Sequence, residues 1–225
     1  MTNPIAYKLI GNDLTINRTP ILMWSFAAVV GIAVAYFIPG LVAANIGFCL
    51  LASAIIGVGI HMIVHTVLFE NVKGTHILIM SLPINFKQYT TAKLSVNILV
   101  FFSMWALLSA VCIYVTFSRG ILPLGGLPMM VMVLLAILPV YSLMLSMCII
   151  TQSIGYTAVT AVTMSFATSA YLWKIVYLDS VGAYVWGNQA VWNSTVFSVV
   201  IIQVLITIII PVVTVIVQFR KKDVI

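Results

Sequence analysis

Two histidines lie four residues apart in a long apolar stretch, a spacing that puts both imidazoles on one face of a helix. His61 and His65 are therefore the first candidates for a metal or haem site. A zinc protease needs the pattern H-E-x-x-H, and position 62 is Met. A haem needs a histidine from a second helix, and the only other histidine is His76. We favour polar contacts near a membrane interface for the pair, and a haem- or metal-binding membrane protein stays an alternative.

The remaining reactive residue types form no catalytic motif. Serine, histidine and aspartate are present without a nucleophile motif, and the sequence has no G-x-x-x-x-G-K-[ST] loop to hold a nucleotide phosphate. Cys49, Cys112 and Cys148 all lie in apolar stretches, which favours packing residues over a disulfide framework. We therefore expect no enzyme activity and no cofactor or metal in this chain. Any ATP that it uses is bound by another chain.

The composition excludes a soluble protein. Of 225 residues, 63% are hydrophobic and 6% are charged, and the mean hydropathy is +1.22; a soluble domain carries about 25% charged residues. Lipid admits only helices or closed barrels, and the apolar stretches lack the alternation of barrel strands. The sequence predicts one all-α integral membrane domain over residues 1–225. Its net charge of +6 fits attraction to membrane lipids rather than to nucleic acid.

The long stretches without Asp, Glu, Lys or Arg predict six transmembrane helices. They cover residues 20–38, 41–68, 94–118, 127–150, 156–178 and 195–219. Pro39-Gly40 predicts a tight turn after the first helix, and Gly125-Gly126 predicts a flexible connection before the fourth. Pro139 predicts a kink in the fourth helix, and Pro211 an interruption of the sixth.

Two shorter pieces flank these helices. In residues 1–19, apolar and charged positions predict an amphipathic N-terminal helix lying on the membrane surface. Residues 179–194 are rich in Trp, Tyr, Gly and Asn. Because indole rings favour the headgroup level, Trp186 and Trp192 predict an extracytoplasmic loop or a re-entrant piece.

The cations predict the orientation, because cytoplasmic loops carry most Lys and Arg. With six helices, eight cations fall on the side of both termini and two on the other side. The eight are Lys8, Arg18, Lys73, Lys87, Lys93, Arg220, Lys221 and Lys222; the two are Arg119 and Lys174. We expect both termini and residues 69–93, hereafter the 69–93 segment, in the cytoplasm. No charged residue falls at the centre of a predicted helix, which argues against a proton-coupled transporter.

The first half of the 69–93 segment predicts a helix end and a new helix. Glu70 and Lys73 are three residues apart and can pair on one helix face. Gly74 can end that helix in the left-handed conformation, and Thr75 can cap a short helix over residues 76–82. That short helix cannot span a membrane, so we expect it to lie crosswise against the bundle, the membrane surface or a partner.

The second half of the segment predicts a stop followed by another start. Pro83 ends the short helix, because the residue before proline resists helix. Asn85 and Gln88 have the spacing of a capping box for the helix that leads into the third span. A plain loop with one interfacial helix is the simpler alternative for the whole segment.

This segment carries a family resemblance. Glu-x-x-Lys-Gly-Thr, then Ser-Leu-Pro-Ile, then a polar cap and a basic residue resemble the permease subunits of type-2 ATP-binding-cassette (ABC) exporters. The resemblance implies six spans, an amphipathic N-terminal helix and a cytoplasmic coupling helix between spans two and three, which docks into an ATPase subunit. The residues implied in ATPase coupling are Glu70, Lys73, Gly74, Thr75, His76, Ile77, Leu78, Met80, Ser81, Leu82, Pro83 and Lys87. The chain has His76 and Gln88 where members of the family usually have acids.

By this resemblance, the chain is expected to be a multi-pass subunit of a bacterial cell membrane. It would form a translocation pathway with a second copy or a related permease, and a separate cytosolic ABC ATPase would bind ATP and Mg. The expected cargo is an amphipathic toxin or antimicrobial peptide, or a hydrophobic drug. A non-transporting membrane anchor or regulator is the remaining alternative.

Overall fold

The structure is a computed structural model that describes residues 4–72, 86–176 and 178–220, and none of these residues forms a strand. The α-helices are α1 (Pro4–Ile16), α2 (Arg18–Phe37), α3 (Leu41–Ile63), α4 (Phe69–Val72), α5 (Phe86–Ser118), α6 (Leu127–Leu135), α7 (Ile137–Thr151), α8 (Ile154–Val176), α9 (Asp179–Val185) and α10 (Ser194–Arg220). A π-helix, Val64–Leu68, joins α3 to α4, and a 3₁₀ turn, Leu124–Gly126, precedes α6. The predicted all-α class is confirmed for the described residues.

Five stretches of the described chain are long and apolar enough to cross a membrane. They are Arg18–Phe37, Val42–Leu68, Gln88–Ser118, Leu124–Thr151 and Ser194–Arg220. These stretches match five of the six predicted spans. Their number and composition are compatible with a multi-pass membrane protein. The sixth prediction, residues 156–178, falls on α8, which has 23 residues but is less apolar. Its serine and threonine residues are Thr157, Thr160, Thr163, Ser165, Thr168 and Ser169.

Helices α2 and α3 form a tight hairpin through small residues. Gly40 adopts a φ of 111° at the turn, a conformation that favours glycine, so the predicted Pro39-Gly40 turn is confirmed. Where the two helices cross, a Cβ added at Gly47 would lie 2.5 Å from the Gly31 carbonyl oxygen and 2.6 Å from the Ala35 Cβ. The backbones meet this closely only because both crossing positions are glycine.

Side-chain hydrogen bonds show how α5 runs relative to α6 and α7. The Trp105 indole N–H donates to the Leu134 carbonyl at 2.9 Å, and the Tyr141 hydroxyl donates to the Asn97 carbonyl at 3.1 Å. Later residues of α5 thus contact earlier residues of the α6–α7 pair, so the elements are antiparallel. At the far end of α5, the Arg119 guanidinium lies 5.5 Å from the Tyr36 ring at the end of α2.

Helix α10 runs parallel to α6 and α7. Gln203 donates to the Met132 carbonyl at 3.0 Å, and Gln218 donates to the Ile149 carbonyl at 2.7 Å. The later residue of α10 thus contacts the later residue of the α6–α7 pair, so the elements run in the same direction. Pro211 lies inside α10, which continues from Ser194 to Arg220, so the predicted interruption is wrong. Helices in membranes tolerate proline where neighbouring groups satisfy the freed backbone carbonyl.

The predicted kink in the fourth span is confirmed near Pro139. Helix α6 ends at Leu135 and α7 begins at Ile137, with a turn at Ala136 between them. Pro139 has no N–H to offer the Leu135 carbonyl, so the regular ladder cannot continue through this turn. The neighbouring Leu134 carbonyl instead accepts from Trp105 of α5. The break is thus held by a side chain of another helix.

The connection before α6 is packed, and the prediction that Gly125-Gly126 is flexible is wrong. The Gly125 N–H donates to the Gly187 carbonyl at 2.8 Å, and a Cβ at Gly125 would clash with the Tyr184 carbonyl. Residues 179–194 therefore pack against the bundle through α9. Buried Val181 and Val185 pack in a cluster with residues of α6, α8 and α10, namely Met132, Ile175 and Val196.

Candidate functional site

A buried ionic cluster joins the N-terminal helix to the two elements that flank residues 73–85. The Lys93 ammonium donates to both carboxylate oxygens of Asp13, at 2.8 and 2.9 Å, and to Glu70 Oε1 at 2.5 Å. The Tyr89 hydroxyl donates to Glu70 Oε2 at 2.9 Å. These four residues are hereafter the Lys93 cluster.

Each member of the Lys93 cluster comes from a defined helical position. Asp13 lies near the end of α1, and Glu70 lies in α4, directly after the π-helix. Tyr89 and Lys93 are four residues apart in α5, so both project from one face of that helix. The π-helical turn is a rare element that often occurs at functional sites, and here it immediately precedes the Glu70 carboxylate.

Burial makes the electrostatics of the cluster strong. Lys93 is 1% exposed, Asp13 is 2% exposed, and the Glu70 side chain is 15% exposed. Removing charges from water costs several kcal/mol per ion, roughly, unless each charge is well paired. Burial raises the pKa of the Asp13 carboxyl, and the Lys93 ammonium opposes that rise. Lys93 thus pairs with two carboxylates in a site from which water is largely excluded.

The polar contacts continue one turn deeper into the bundle. Asn97 lies four residues after Lys93 and donates to the Lys93 carbonyl and to the Thr66 hydroxyl, both at 2.8 Å. Thr66 in turn donates to the Met62 carbonyl at 2.6 Å. Tyr141 of α7 reaches the Asn97 carbonyl. The Lys93 cluster is therefore tied to α3, the π-helix and α7 as well as to α1.

Asp13 and Lys93 correct two expectations from the sequence. The N-terminal helix is present as α1, but Asp13 points into the protein, and Ile10 packs against buried Met62, Val96 and Val100. Helix α1 therefore docks on the bundle instead of presenting its whole polar face to headgroups. Helix α5 begins at Phe86, where the predicted capping box starts the helix that leads into the third span, but Lys93 lies inside it as a buried ion instead of facing the cytoplasm.

The sequence held a partial signal for this cluster. Tyr89, Lys93 and Asn97 are spaced four residues apart, which predicts a polar stripe on one face of a helix. As part of the 69–93 segment, Lys93 was predicted to face the cytoplasm, and that prediction does not indicate a buried polar stripe. The pairing with Asp13 had no local signal, because 80 residues separate the two.

Most residues of the expected coupling region lie outside the described part of the chain. These are Lys73, Gly74, Thr75, His76, Ile77, Leu78, Met80, Ser81, Leu82 and Pro83. Lys87 lies in α5, and the structure describes its backbone but not its side chain. The Glu70 carboxylate lies against Lys93 and Tyr89. Its predicted pairing with Lys73 involves a residue outside the described part of the chain.

The histidine pair lies on one helix face, as its spacing predicts. The His61 and His65 rings stack with centroids 4.1 Å apart, and Phe69 continues the stack 4.9 Å from His65. Within the described residues, no group of three or more His, Cys, Asp or Glu side chains is placed to hold a metal ion. Cys49, Cys112 and Cys148 are free thiols.

An apolar crevice opens between α3, α5 and α7. Phe101 and Tyr141 are among its lining residues, and their stacked rings have centroids 3.5 Å apart. Its other lining residues are Ile56, Ile60, Ile63, Ile137, Val140 and Met144. A site with this lining favours a hydrocarbon group over a polar one.

Comparisons with models of known protein families, with curated proteins and with solved structures give no match.

Proposed function

We propose that this chain is the transmembrane subunit of an ATP-driven ABC exporter. It pairs with a separate cytosolic ATPase, which binds ATP and Mg, and forms the translocation pathway with a second permease subunit. The observation that carries the proposal is the place of the 69–93 segment. Its motif joins two apolar helices, α3 and α5, at the end of the bundle where α1 docks. That is the place at which the resemblance puts the coupling helix.

The helix directions support a sixth crossing by α8. Because α10 runs parallel to α7, the chain between them has to return along the length of the bundle. At 1.5 Å per residue, α8 is about 35 Å long, enough for the roughly 30 Å of hydrocarbon. Five of its hydroxyls donate to carbonyls four residues earlier in the chain, so they need no water. We therefore infer six spans, with both termini at the same face of the membrane.

The Lys93 cluster supports a mechanical role for the segment. It joins Glu70, which precedes residues 73–85, to Tyr89 and Lys93, which follow them, and it joins Lys93 to Asp13 of α1. A push on a coupling helix mounted in this way moves α3, α5 and α1 together. An unanchored loop would absorb the same push. This fits a subunit whose helices are moved by an ATPase in the cytosol.

The apolar interior supports a hydrophobic or amphipathic cargo. The crevice between α3, α5 and α7 is lined by hydrocarbon and aromatic rings. We propose that the protein resides in a bacterial cell membrane with both termini in the cytoplasm, which is where most of its cations then lie. The cargo is proposed to be a toxin or antimicrobial peptide, or a hydrophobic drug.

The experiment that tests this function is affinity purification from the native membrane in mild detergent, followed by mass spectrometry. The test variant is Leu78→Asp in the proposed coupling helix. The matched control is Leu124→Asp, an exposed leucine in the 3₁₀ turn before α6, which our topology puts on the opposite face of the membrane. We expect an ABC ATPase to co-purify with the wild type and the control, and to be lost from Leu78→Asp.

Recovery of no ATPase with the wild-type chain contradicts the exporter proposal. An absorbance spectrum and metal analysis of the same sample then test the haem or metal alternative at His61 and His65. If an ATPase binds but its hydrolysis moves no cargo in vesicles, the chain is a membrane anchor or regulator.

A further inference from the structure

We propose that Lys93 is a two-way latch, which holds the N-terminal helix α1 and the end of the α3–α4 element by separate bonds that can be released one at a time. This inference goes beyond the exporter proposal and does not depend on it. It rests on the geometry of the Lys93 cluster, and it concerns how α1 is kept on the bundle.

The bonds to Lys93 are divided unequally between its two partners. A lysine ammonium has three N–H donors, and all of them are used here: two on Asp13 and one on Glu70. Asp13 is bound through both oxygens, whereas Glu70 shares its carboxylate between Lys93 and Tyr89. Loss of either carboxylate therefore leaves the ammonium paired with the other one.

The electrostatic balance favours release of one partner at a time. Lys93 forms ion pairs with two carboxylates, those of Asp13 and Glu70, so it stays paired when one of them leaves. Departure of either acid leaves a neutral pair, which is cheaper to keep buried than an isolated ion. Departure of both leaves a buried unpaired ammonium, which is strongly unfavourable. The site therefore permits three arrangements, in which Lys93 binds both acids, Asp13 alone or Glu70 alone. The arrangement in which Lys93 binds neither acid is disfavoured.

Among the described contacts of helix α1 with the bundle, the Asp13–Lys93 ion pair joins two buried charges. The described apolar anchor of α1 is Ile10, which packs against Met62, Val96 and Val100. Many of its remaining side chains, including Lys8, Gly11, Asn12, Leu14, Thr15 and Ile16, are exposed or only partly buried. Breaking the Asp13 bonds removes a buried ion pair, made through both carboxylate oxygens, between α1 and α5.

Amide hydrogen exchange of the full-length protein in detergent or nanodiscs tests the latch, because exchange reports local opening. The variants are Asp13→Asn and Glu70→Gln, and Asp179→Asn, an exposed acid of α9, is the matched control. In Asp13→Asn we expect exchange in residues 4–16 to rise by about tenfold or more, with residues 64–72 unchanged. In Glu70→Gln we expect the reverse pattern.

The double variant Asp13→Asn, Glu70→Gln leaves Lys93 without a carboxylate. We expect exchange at both ends to exceed the sum of the two single effects. The proposal is overturned if Asp13→Asn leaves α1 exchange equal to that of Asp179→Asn. It is equally overturned if either single variant loosens both ends alike, because the two bonds are then one structural unit.

Discussion

The Lys93 ammonium lies 2.8 and 2.9 Å from the two carboxylate oxygens of Asp13, although 80 residues separate them in the chain. Both side chains are almost fully buried. The pair therefore fixes the start of the chain against the middle of it, at the same end of the bundle as the 69–93 segment. A charged residue beside a predicted span usually lies in water at the membrane surface. Lys93 is instead buried inside α5, where it binds another helix.

The first prediction concerns the loss of Lys93. In Lys93→Met, the carboxylates of Asp13 and Glu70 lose their shared cation and remain buried. Removing one partner of a buried ion pair costs about 3–5 kcal/mol, so we expect a loss of stability of that order. Thermal or denaturant unfolding in detergent measures it.

The matched control for this variant is Lys174→Met, because Lys174 is an exposed lysine near the end of α8. We expect its midpoint to stay close to that of the wild type, since exposed charges contribute about 1 kcal/mol or less. Equal stability of the two variants would show that the carboxylates find other partners.

The second prediction concerns the crossing of α2 and α3. A methyl group in Gly47→Ala would meet the Gly31 carbonyl oxygen at 2.5 Å, so the helices have to separate. Overpacking of this kind costs about 1–3 kcal/mol, which outweighs the gain in helix propensity of at most about 1 kcal/mol. We expect a lower unfolding midpoint.

Gly11→Ala is the control for the crossing, because a Cβ at Gly11 meets no atom within 4 Å. It gains the same helix propensity without a clash, so we expect it to be neutral or more stable than the wild type. A Gly47→Ala protein as stable as Gly11→Ala would refute the close approach of the two helices.

The third prediction concerns the packed connection before α6. Gly125→Ala would push its methyl group into the Tyr184 carbonyl and strain the bond from the Gly125 N–H to Gly187. We expect faster amide exchange in α9 and in residues 186–193, with α5 unaffected. The control is Gly155→Ala at the start of α8, where the nearest atom is the Ser153 hydroxyl at 3.8 Å. Unchanged exchange in Gly125→Ala would leave the connection flexible, as its sequence suggests.

Local signals predicted the backbone of this protein better than its contacts. The turn at Pro39-Gly40 and the break near Pro139 follow from residues that restrict or free the backbone where they stand. The prediction for Gly125-Gly126 was wrong, because two glycines allow either a flexible loop or a close approach of two backbones. Contacts with α9 and Gly187, about 60 residues later in the chain, produce the close approach. The prediction for Pro211 was wrong as well, because neighbouring helices can satisfy the carbonyl that a proline leaves free.

The Lys93 cluster was beyond the reach of such signals. A lysine near a helix end and an aspartate in an amphipathic segment each have a sufficient local explanation at the membrane surface. Their pairing depends on how α1 and α5 pack, which the spacing of residues within either helix does not encode. The stripe of Tyr89, Lys93 and Asn97 predicts a polar face, but not its partner.

The last prediction tests whether α8 crosses the membrane. If it does, Ser153 before α8 and Trp186 after α9 lie on opposite faces, because the parallel α7 and α10 require a full return between them. Single cysteines at these positions, in a background that lacks the three native thiols, are treated in intact cells with a membrane-impermeant maleimide. We expect Trp186→Cys to react from outside, and Ser153→Cys to react only after the membrane is opened.

Thr15→Cys in α1 is the internal reference, since Thr15 is exposed and α1 docks at the end of the bundle that holds Lys93. In a six-span protein it reacts like Ser153→Cys, because an even number of crossings separates them: α2, α3, α5 and the α6–α7 pair. Reaction of Ser153→Cys and Trp186→Cys from the same side would mean that α8 does not cross. The chain would then have five spans, its termini would lie on opposite faces, and the comparison with six-span exporters would fail at its topology.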